Sequence, residues 1–280
     1  MKKIGLALGG GGARGLSHIM FIKALDELGI KPYIISGTSI GSIIGGFYAG
    51  GMTGEELEHL TEHISIREIS KMIDLTVLKP AGLVKGKGVM QFMEEHLPVL
   101  EFENLKIPLK IIATDFWNKK EVIFESGSLL DAIRSSISIP AVFVPYQIGS
   151  TILIDGGIVN PLPMSAIRDQ CDILIAIDVS GTMVPHKNNI KPSLFDSVMN
   201  AFGIMESTLV ESHLEDYKPE LYVKPRLENV QVLDFHKAKS IMKSVHKDVD
   251  AFKKQLSLII EGKPQGKSRG IFSMFTKKQG

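Results

Sequence analysis

Gly37-Thr38-Ser39-Ile40-Gly41 constrains this chain more than any other stretch, because a serine held between two glycines marks a turn too sharp for ordinary residues. An apolar run at 33–35 precedes it and reads as a buried strand. A small, apolar stretch at 40–49 follows and reads as a buried helix. A strand that turns so abruptly into a helix leaves no room for a β-carbon on either flank, which suits Gly37 and Gly41. It also sets the Ser39 hydroxyl at the positive end of the helix, where an alkoxide forms most easily. Alone, the pentapeptide is weak evidence, since glycine and serine are common.

Two further motifs add to it. Gly9-Gly10-Gly11-Gly12-Ala13-Arg14-Gly15 follows the apolar strand at 4–8 and opens a helix reaching about residue 28. Backbone N–H groups of such a loop point at whatever sits above the helix start, so the loop suits negative charge. Arg14 has three readings: it pins the loop, meets an anionic head group, or is a solvated first-turn arginine. The other motif is Asp155-Gly156-Gly157, after the apolar strand at 152–154. By itself Asp-Gly is first a hairpin signal. Beside a serine nucleophile it gains a second reading, because a carboxylate just past a strand end can reach across a parallel sheet and act as base.

Gly-rich loop with arginine, then serine elbow, then Asp-Gly-Gly: in this order the motifs resemble those of the patatin-like phospholipase family. Gly15-Leu16-Ser17-His18, Ala113-Thr114-Asp115 and the segment 136–145 extend the resemblance, which covers roughly residues 4–180. It implies a three-layer α/β/α sandwich with a mainly parallel central sheet. It also implies a Ser–Asp dyad that hydrolyses acyl esters of lipids without metal or cofactor. Carried over, Ser39 is the nucleophile, Asp155 the base, and Gly10, Gly11 and Gly12 supply the oxyanion hole; Arg14, Gly15, Gly37, Gly41, Gly156 and Gly157 support the motifs. An aspartate is a weak base, with an ordinary pKa of about 3.9, so burial of Asp155 has to raise it while the loop amides stabilise the alkoxide and the oxyanion. Acyl transfer to an acceptor other than water and a non-catalytic lipid- or acyl-binding module are the alternatives.

Two rival chemistries use the same residues. Gly10-x-Gly12-x-x-Gly15 also fits a dinucleotide fingerprint, but that motif expects an acid at the end of the second strand, where this chain has Ser36-Gly37-Thr38-Ser39. An α/β-hydrolase triad needs a late histidine. His213, His236 and His246 exist, in helical, charge-rich surroundings where solvated histidines are expected. Ser39 also comes unusually early for that fold.

With 280 residues and 44% apolar content, one large α/β domain is the natural size; we place it at 1–262, with a basic tail at 263–280. A net charge of +1 gives nucleic-acid binding no electrostatic support. One cysteine, Cys171, excludes an internal disulfide and suits a core or strand-edge filler in a reducing, cytoplasmic setting. The apolar run at the N-terminus is shorter than the core of a secretion signal, and the longest low-charge stretch, 32–53, is too rich in glycine for a membrane span.

Along the chain, Thr53 and Glu56 form a capping box for a helix through His63, and helices are expected at 85–96, 129–135, 164–169, 194–217 and 236–261. Strands at 109–115 and 121–124 join across Asn118-Lys119. The segment 185–192 reads as an exposed loop. The apolar stripe Phe195, Val198, Met199, Phe202, Met205 and Leu209 reads as core-facing, with cover for an acyl groove as the other possibility. In the tail, Lys263, Lys267, Arg269, Lys277 and Lys278 surround Ile271, Phe272, Met274 and Phe275; a flexible terminus is expected, or transient contact with anionic lipid.

Overall fold

Alternating burial along the strands fixes the layers. In β1 (Ile4–Leu8) the side chains of Ile4, Leu6 and Leu8 enter one apolar cluster and Ala7 enters another on the opposite face, as a period of two requires. The same split holds in β2 (Ile34–Thr38), where Ile35 joins the first cluster and Ile34 the second, and in β7 (Ile173–Ile177). Strands buried on both faces belong to a parallel sheet with cover on each side. The computed structural model describes residues 2–63, 84–182 and 191–263. The tail beyond 263 and most of the expected loop at 185–192 lie outside the described residues.

Hydrogen-bonded neighbours run β5-β6-β3-β2-β1-β7-β8, with β4 also paired to β3. Here β3 is Leu109–Asp115, β4 Lys120–Phe124, β5 Tyr146–Ile148, β6 Thr151–Asp155 and β8 Leu221–Val223. The pairs β3/β2, β2/β1, β1/β7 and β7/β8 are parallel, and β3/β4, β3/β6 and β5/β6 antiparallel. The sheet is therefore mainly parallel, and a three-layer α/β/α sandwich results.

One face carries α1 (His18–Glu27), α2 (Ile40–Gly50), α3 (Gly54–His63) and the C-terminal helices, which bury Phe21, Phe47, Leu57, Phe252 and Leu256. The capping box of α3 is present, with the Glu56 N–H donating to Thr53 Oγ1 and the Thr53 N–H to Glu56 Oε2. The other face is covered by the segment 161–170 and by Val210, Leu214 and Tyr217 of the long helix Leu194–Tyr217. Cys171, ahead of β7, packs against this second cluster, and a β-carbon on Gly5 would meet its Sγ at 2.7 Å.

Three expectations change. Residues 164–169 form turns and a short 3₁₀ segment, Arg168–Gln170, instead of a helix: the Ser36 hydroxyl donates to the Pro163 carbonyl and pins this stretch flat on the sheet. The last helix is interrupted at Val245 into Ala238–Ser244 and His246–Ile260, although its stripe Ile241, Val245, Val249, Phe252 and Leu256 is buried throughout. In the helix Leu194–Tyr217, only Val210 is fully buried. Its apolar stripe is not core: Phe195 and Met205 are exposed, and Met199 and Phe202 line a cavity beside Ser39.

Candidate active site

Two strands meet end to end on one edge of β3. Ile111 and Ile112 pair with both β4 and β2, whereas Ala113 to Asp115 pair with both β4 and β6. One edge of β3 thus belongs to β4 from Ile111 to Asp115, and β2 and β6 share the other. Thr38 pairs with Ile112 and Asp155 with Ala113, so Asp155 arrives antiparallel at the level where β2 breaks off into Ser39. The sequence suggested a carboxylate just past a strand end, reaching across a parallel sheet; Asp155 is instead the last residue of the antiparallel β6, which meets the end of β2 head-on.

Ser39 has φ 54 and ψ −124, a conformation that L-residues rarely hold. The turn is enforced from both sides. A β-carbon on Gly41 would collide with the Leu8 carbonyl, and the Ser39 N–H donates to Ser136 Oγ at 2.8 Å. The Ser39 carbonyl accepts from the Ser42 N–H at 2.8 Å and the Ser42 hydroxyl at 2.6 Å. Ser39 itself is only 5% exposed.

Asp155 is equally enclosed. Its Oδ1 accepts the Gly157 N–H at 2.7 Å, and its carbonyl accepts the Thr114 hydroxyl at 2.8 Å. Its Oδ2 is buried without a fixed partner. Burial raises the carboxyl from its ordinary 3.8 to about 6, while the Ser39 hydroxyl and the Gly157 N–H pull the other way. That direction is what a weak base in this position needs.

The glycine loop wraps over Ser39. The Gly9 N–H donates to the Ile177 carbonyl and the Gly10 N–H to the Pro161 carbonyl at 2.9 Å. Gly10 therefore has its donor occupied, which corrects its expected place in an oxyanion hole. Gly11 and Gly12, the other two glycines of that expectation, line the cavity beside Ser39. Gly12 has φ 58, and a β-carbon there would strike the Val232 carbonyl.

Arg14 is buried, not a solvated first-turn residue, and its Nε donates to the Gly11 carbonyl at 3.0 Å. Because a trans peptide sets C=O and N–H on opposite sides, fixing the Gly11 carbonyl also aims the Gly12 N–H. His18, fully buried and held neutral by a pKa lowered to about 4, donates from Nε2 to the Gly9 carbonyl at 2.9 Å. Behind the loop, Asp178 accepts from the Ser180 N–H and the Tyr222 hydroxyl and pairs with Lys224 at 3.1 Å, which holds it below the usual carboxylate range.

Sequence reasoning missed Glu206. This residue projects from the helix Leu194–Tyr217 toward Asp155: a β-carbon on Gly157 would run into Glu206 Oε1 and lie 3.0 Å from Asp155 Oδ1. Burial and the neighbouring Asp155 push Glu206 up to about 8, against the opposing pull of Arg14. Its signal was available: Met199, Phe202 and Glu206 fall at helical spacing, so an acid interrupts an apolar stripe. The late histidines stay apart; His236 and His246 are exposed, and none of the three lines the site.

Ser39 stands where two cavities join. The larger, about 150 Å³, is walled by apolar side chains that include Ile43, Phe47, Phe92, Phe143 and Phe235. The smaller is the more polar of the two, and Ser39, Asp155, Arg14 and Glu206 line it together with Met199 and Phe202.

Known proteins resemble this chain in sequence and in fold. An uncharacterised NTE family protein of Mycobacterium tuberculosis is 34% identical over 210 residues, covering 75% of this chain and 58% of that protein. The lysophospholipase NTE1 of Kluyveromyces lactis is 28% identical over 273 residues, covering 86% of this chain and 18% of its own length. The chain thus spans little more than half of the first relative and under a fifth of the second. VipD from Legionella pneumophila has a similar fold, with a TM-score of 0.50 at 13% identity over 89% of this chain and 67% of that one. Residues 6–167, which include both Ser39 and Asp155, match the family described as patatin-like phospholipase. More than half of the 280 residues fall within that match, and the chain belongs to the patatin-like phospholipase family.

Proposed function

We propose that this protein is a serine acyl hydrolase that cleaves carboxylic esters of lipids through Ser39 and Asp155, within a catalytic unit spanning 1–262. The observation that carries this reading is the position of Ser39: strained, beside a buried carboxylate, and at the junction of an apolar and a polar cavity. An apolar void of roughly 150 Å³ accommodates a benzene-sized hydrocarbon, so several methylenes of an acyl chain fit in the larger cavity. The alcohol half of the ester then faces the polar one.

In the first half-reaction, Ser39 Oγ attacks the acyl carbonyl carbon while its proton passes to Asp155. The carbonyl oxygen becomes an oxyanion held by the Gly11 and Gly12 N–H groups. Collapse breaks the ester bond, and the leaving alkoxide takes the proton from Asp155. In the second half-reaction, water gives a proton to Asp155 and attacks acyl-Ser39. The carboxylic acid departs and Ser39 regains its proton. The family and the name of the Kluyveromyces lactis relative support an ester-hydrolysing reading.

The test is to treat the protein with a fluorophosphonate and locate the adduct by peptide mass spectrometry, alongside turnover of a lysophospholipid. The expected result is an adduct on Ser39, abolished in Asp155→Asn, and fatty-acid release that disappears with it. A Ser39 that stays unlabelled, with no release, would overturn the reading in favour of a binding module.

A further inference from the structure

Residues 138–144 divide the two cavities that join at Ser39. Ile139, Val142 and Phe143 line the apolar one, and Ile139 and Pro140 line the more polar one beside Asp155. The segment forms no helix and no strand beyond an isolated bridge from Phe143 to Val84. Within it, Ala141 sits at φ 66, a backbone conformation that a side chain with a β-carbon adopts only under constraint. The hold on this segment comes from outside it.

Arg134 supplies that hold. It lies in the last turn of the helix Leu129–Ser136 and is 2% exposed. Its Nη1 donates to Ser138 Oγ at 2.6 Å, at the start of the segment, and its Nη2 to the Val144 carbonyl at 2.9 Å, at the end. The same Nη2 donates to the Lys85 carbonyl at 3.1 Å, just ahead of the helix Lys87–His96, whose Val89, Phe92 and Met93 line the apolar cavity. The rings of Phe143 and Tyr146 stand 5.4 and 5.2 Å from the guanidinium carbon. Among the described residues no carboxylate pairs with Arg134; Asp131, one turn earlier, accepts the Tyr146 hydroxyl at 2.6 Å. A buried guanidinium is costly unless its N–H groups are bonded. Here those bonds go to the two ends of one segment.

The same turn holds the dyad. The Ser138 carbonyl accepts the Asp155 N–H at 3.0 Å, and Ser136 Oγ accepts the Ser39 N–H at 2.8 Å. The Ser138 hydroxyl donates back to the Arg134 carbonyl at 2.8 Å, which closes the turn on itself.

We infer that Arg134 is a positioning residue for the dyad: its guanidinium clamps Ser138 and Val144, and so fixes the partition 138–144 beside Asp155 and between the two cavities. A planar fork reaches both ends at once, whereas lysine offers a single nitrogen. The consequence for turnover rests on the Ser39–Asp155 hydrolase reading. Burial is what raises Asp155, and Ile139 and Pro140 belong to the cavity wall around it. A loosened partition admits water and returns Asp155 toward its ordinary pKa. The Ser39 hydroxyl, the Gly157 N–H, Glu206 and Arg14 also face Asp155, and Arg134→Lys alters none of them.

The test compares the parent with Arg134→Lys by hydrogen exchange and by the pH profile of kcat/KM on a soluble ester. The peptide spanning 137–145 should exchange faster in the variant while β1 and β2 stay protected. Turnover should fall by up to about 10²-fold, and the acid limb should move down from about 6 by about one pH unit. Loss of folded protein alone would scale the profile without moving the limb. Where Arg134→Lys fails to fold, Ser138→Ala decides, because it removes one acceptor and keeps the carbonyl that holds Asp155; the same changes should follow at smaller size. Added to Arg134→Lys, Ser138→Ala should cost little more, since both cut one link. Exchange over 137–145 like the parent's, or an acid limb that stays in place, overturns the inference. A parent that turns over no ester sinks the hydrolase reading instead, and the exchange measurement still decides whether Arg134 holds the partition.

Discussion

Asp155 occupies the place on the β3 edge that Ser39 would have taken had β2 continued: Thr38 pairs with Ile112, and the next residue, Ala113, pairs with Asp155. A strand that breaks at Ser39 leaves an edge vacant, and an antiparallel strand fills it with Asp155. The proximity of the two residues is therefore a property of the sheet register and does not depend on loop conformation.

The break is strained, and the strain is measurable. Ser39 at φ 54 and ψ −124 stores energy of order 1–3 kcal/mol, which glycine would not. Ser39→Gly should therefore raise the unfolding free energy by about 1 kcal/mol, after the greater entropy of an unfolded glycine is subtracted. Activity should vanish. Denaturant melts of Ser39→Gly and Ser39→Ala, compared with the parent, check this: only the glycine variant should exceed the parent's midpoint.

Asp155 gives a pH dependence of opposite sign in rate and in stability. As a base it works ionised, so kcat/KM should rise with pH through about 6. Its folded pKa lies above the ordinary 3.8, so between those values the native state binds more protons than the unfolded chain, and stability falls as pH rises. At about 1.4 kcal/mol per pH unit, the loss amounts to about 3 kcal/mol across the window. In Asp155→Asn that part of the slope should be absent from urea melts recorded at pH 4 and pH 7.

Much of the site was legible in the sequence because its constraints are local. Gly37, Ser39 and Gly41 describe a turn that only small residues survive, and the loop at 9–15 needs glycine wherever other backbone passes close. What stayed hidden depends on register and on distant packing. That Gly10 spends its N–H on Pro161, that β6 runs antiparallel, and that Arg14 is buried on the Gly11 carbonyl are consequences of which strands neighbour one another. The stripe on Leu194–Tyr217 misled for a related reason: apolar spacing identifies a face that wants cover, but whether that cover is a core, a cavity or something outside the chain is set by tertiary placement.

Arg14 is bonded through Nε to the Gly11 carbonyl, and the proposed reaction assigns it the aiming of the Gly12 N–H. Arg14→Lys keeps the charge and loses the planar Nε donor to the Gly11 carbonyl. If that bond aims the Gly12 N–H, kcat should fall by about 10²-fold, in the range of an oxyanion-hole donor, with little change in KM. An equal rise in KM with kcat preserved would assign Arg14 to substrate binding instead.

Glu206 adds a second titration to the same chamber. Pushed up to about 8, it is neutral through the range in which Asp155 becomes ionised. Above about 8 its ionisation places a further negative charge beside Asp155, where an oxyanion must also form, and the transition state is disfavoured. The kcat/KM profile should accordingly bend downward near pH 8. Glu206→Gln, of nearly the same shape, should extend the plateau to higher pH and leave the acid limb near 6 almost in place. Because Glu206 also faces Arg14, the substitution should lower activity at pH 7 by no more than about tenfold. A downward limb that persists unaltered in Glu206→Gln would assign the high-pH titration to another group and reduce Glu206 to a packing residue of the covering helix.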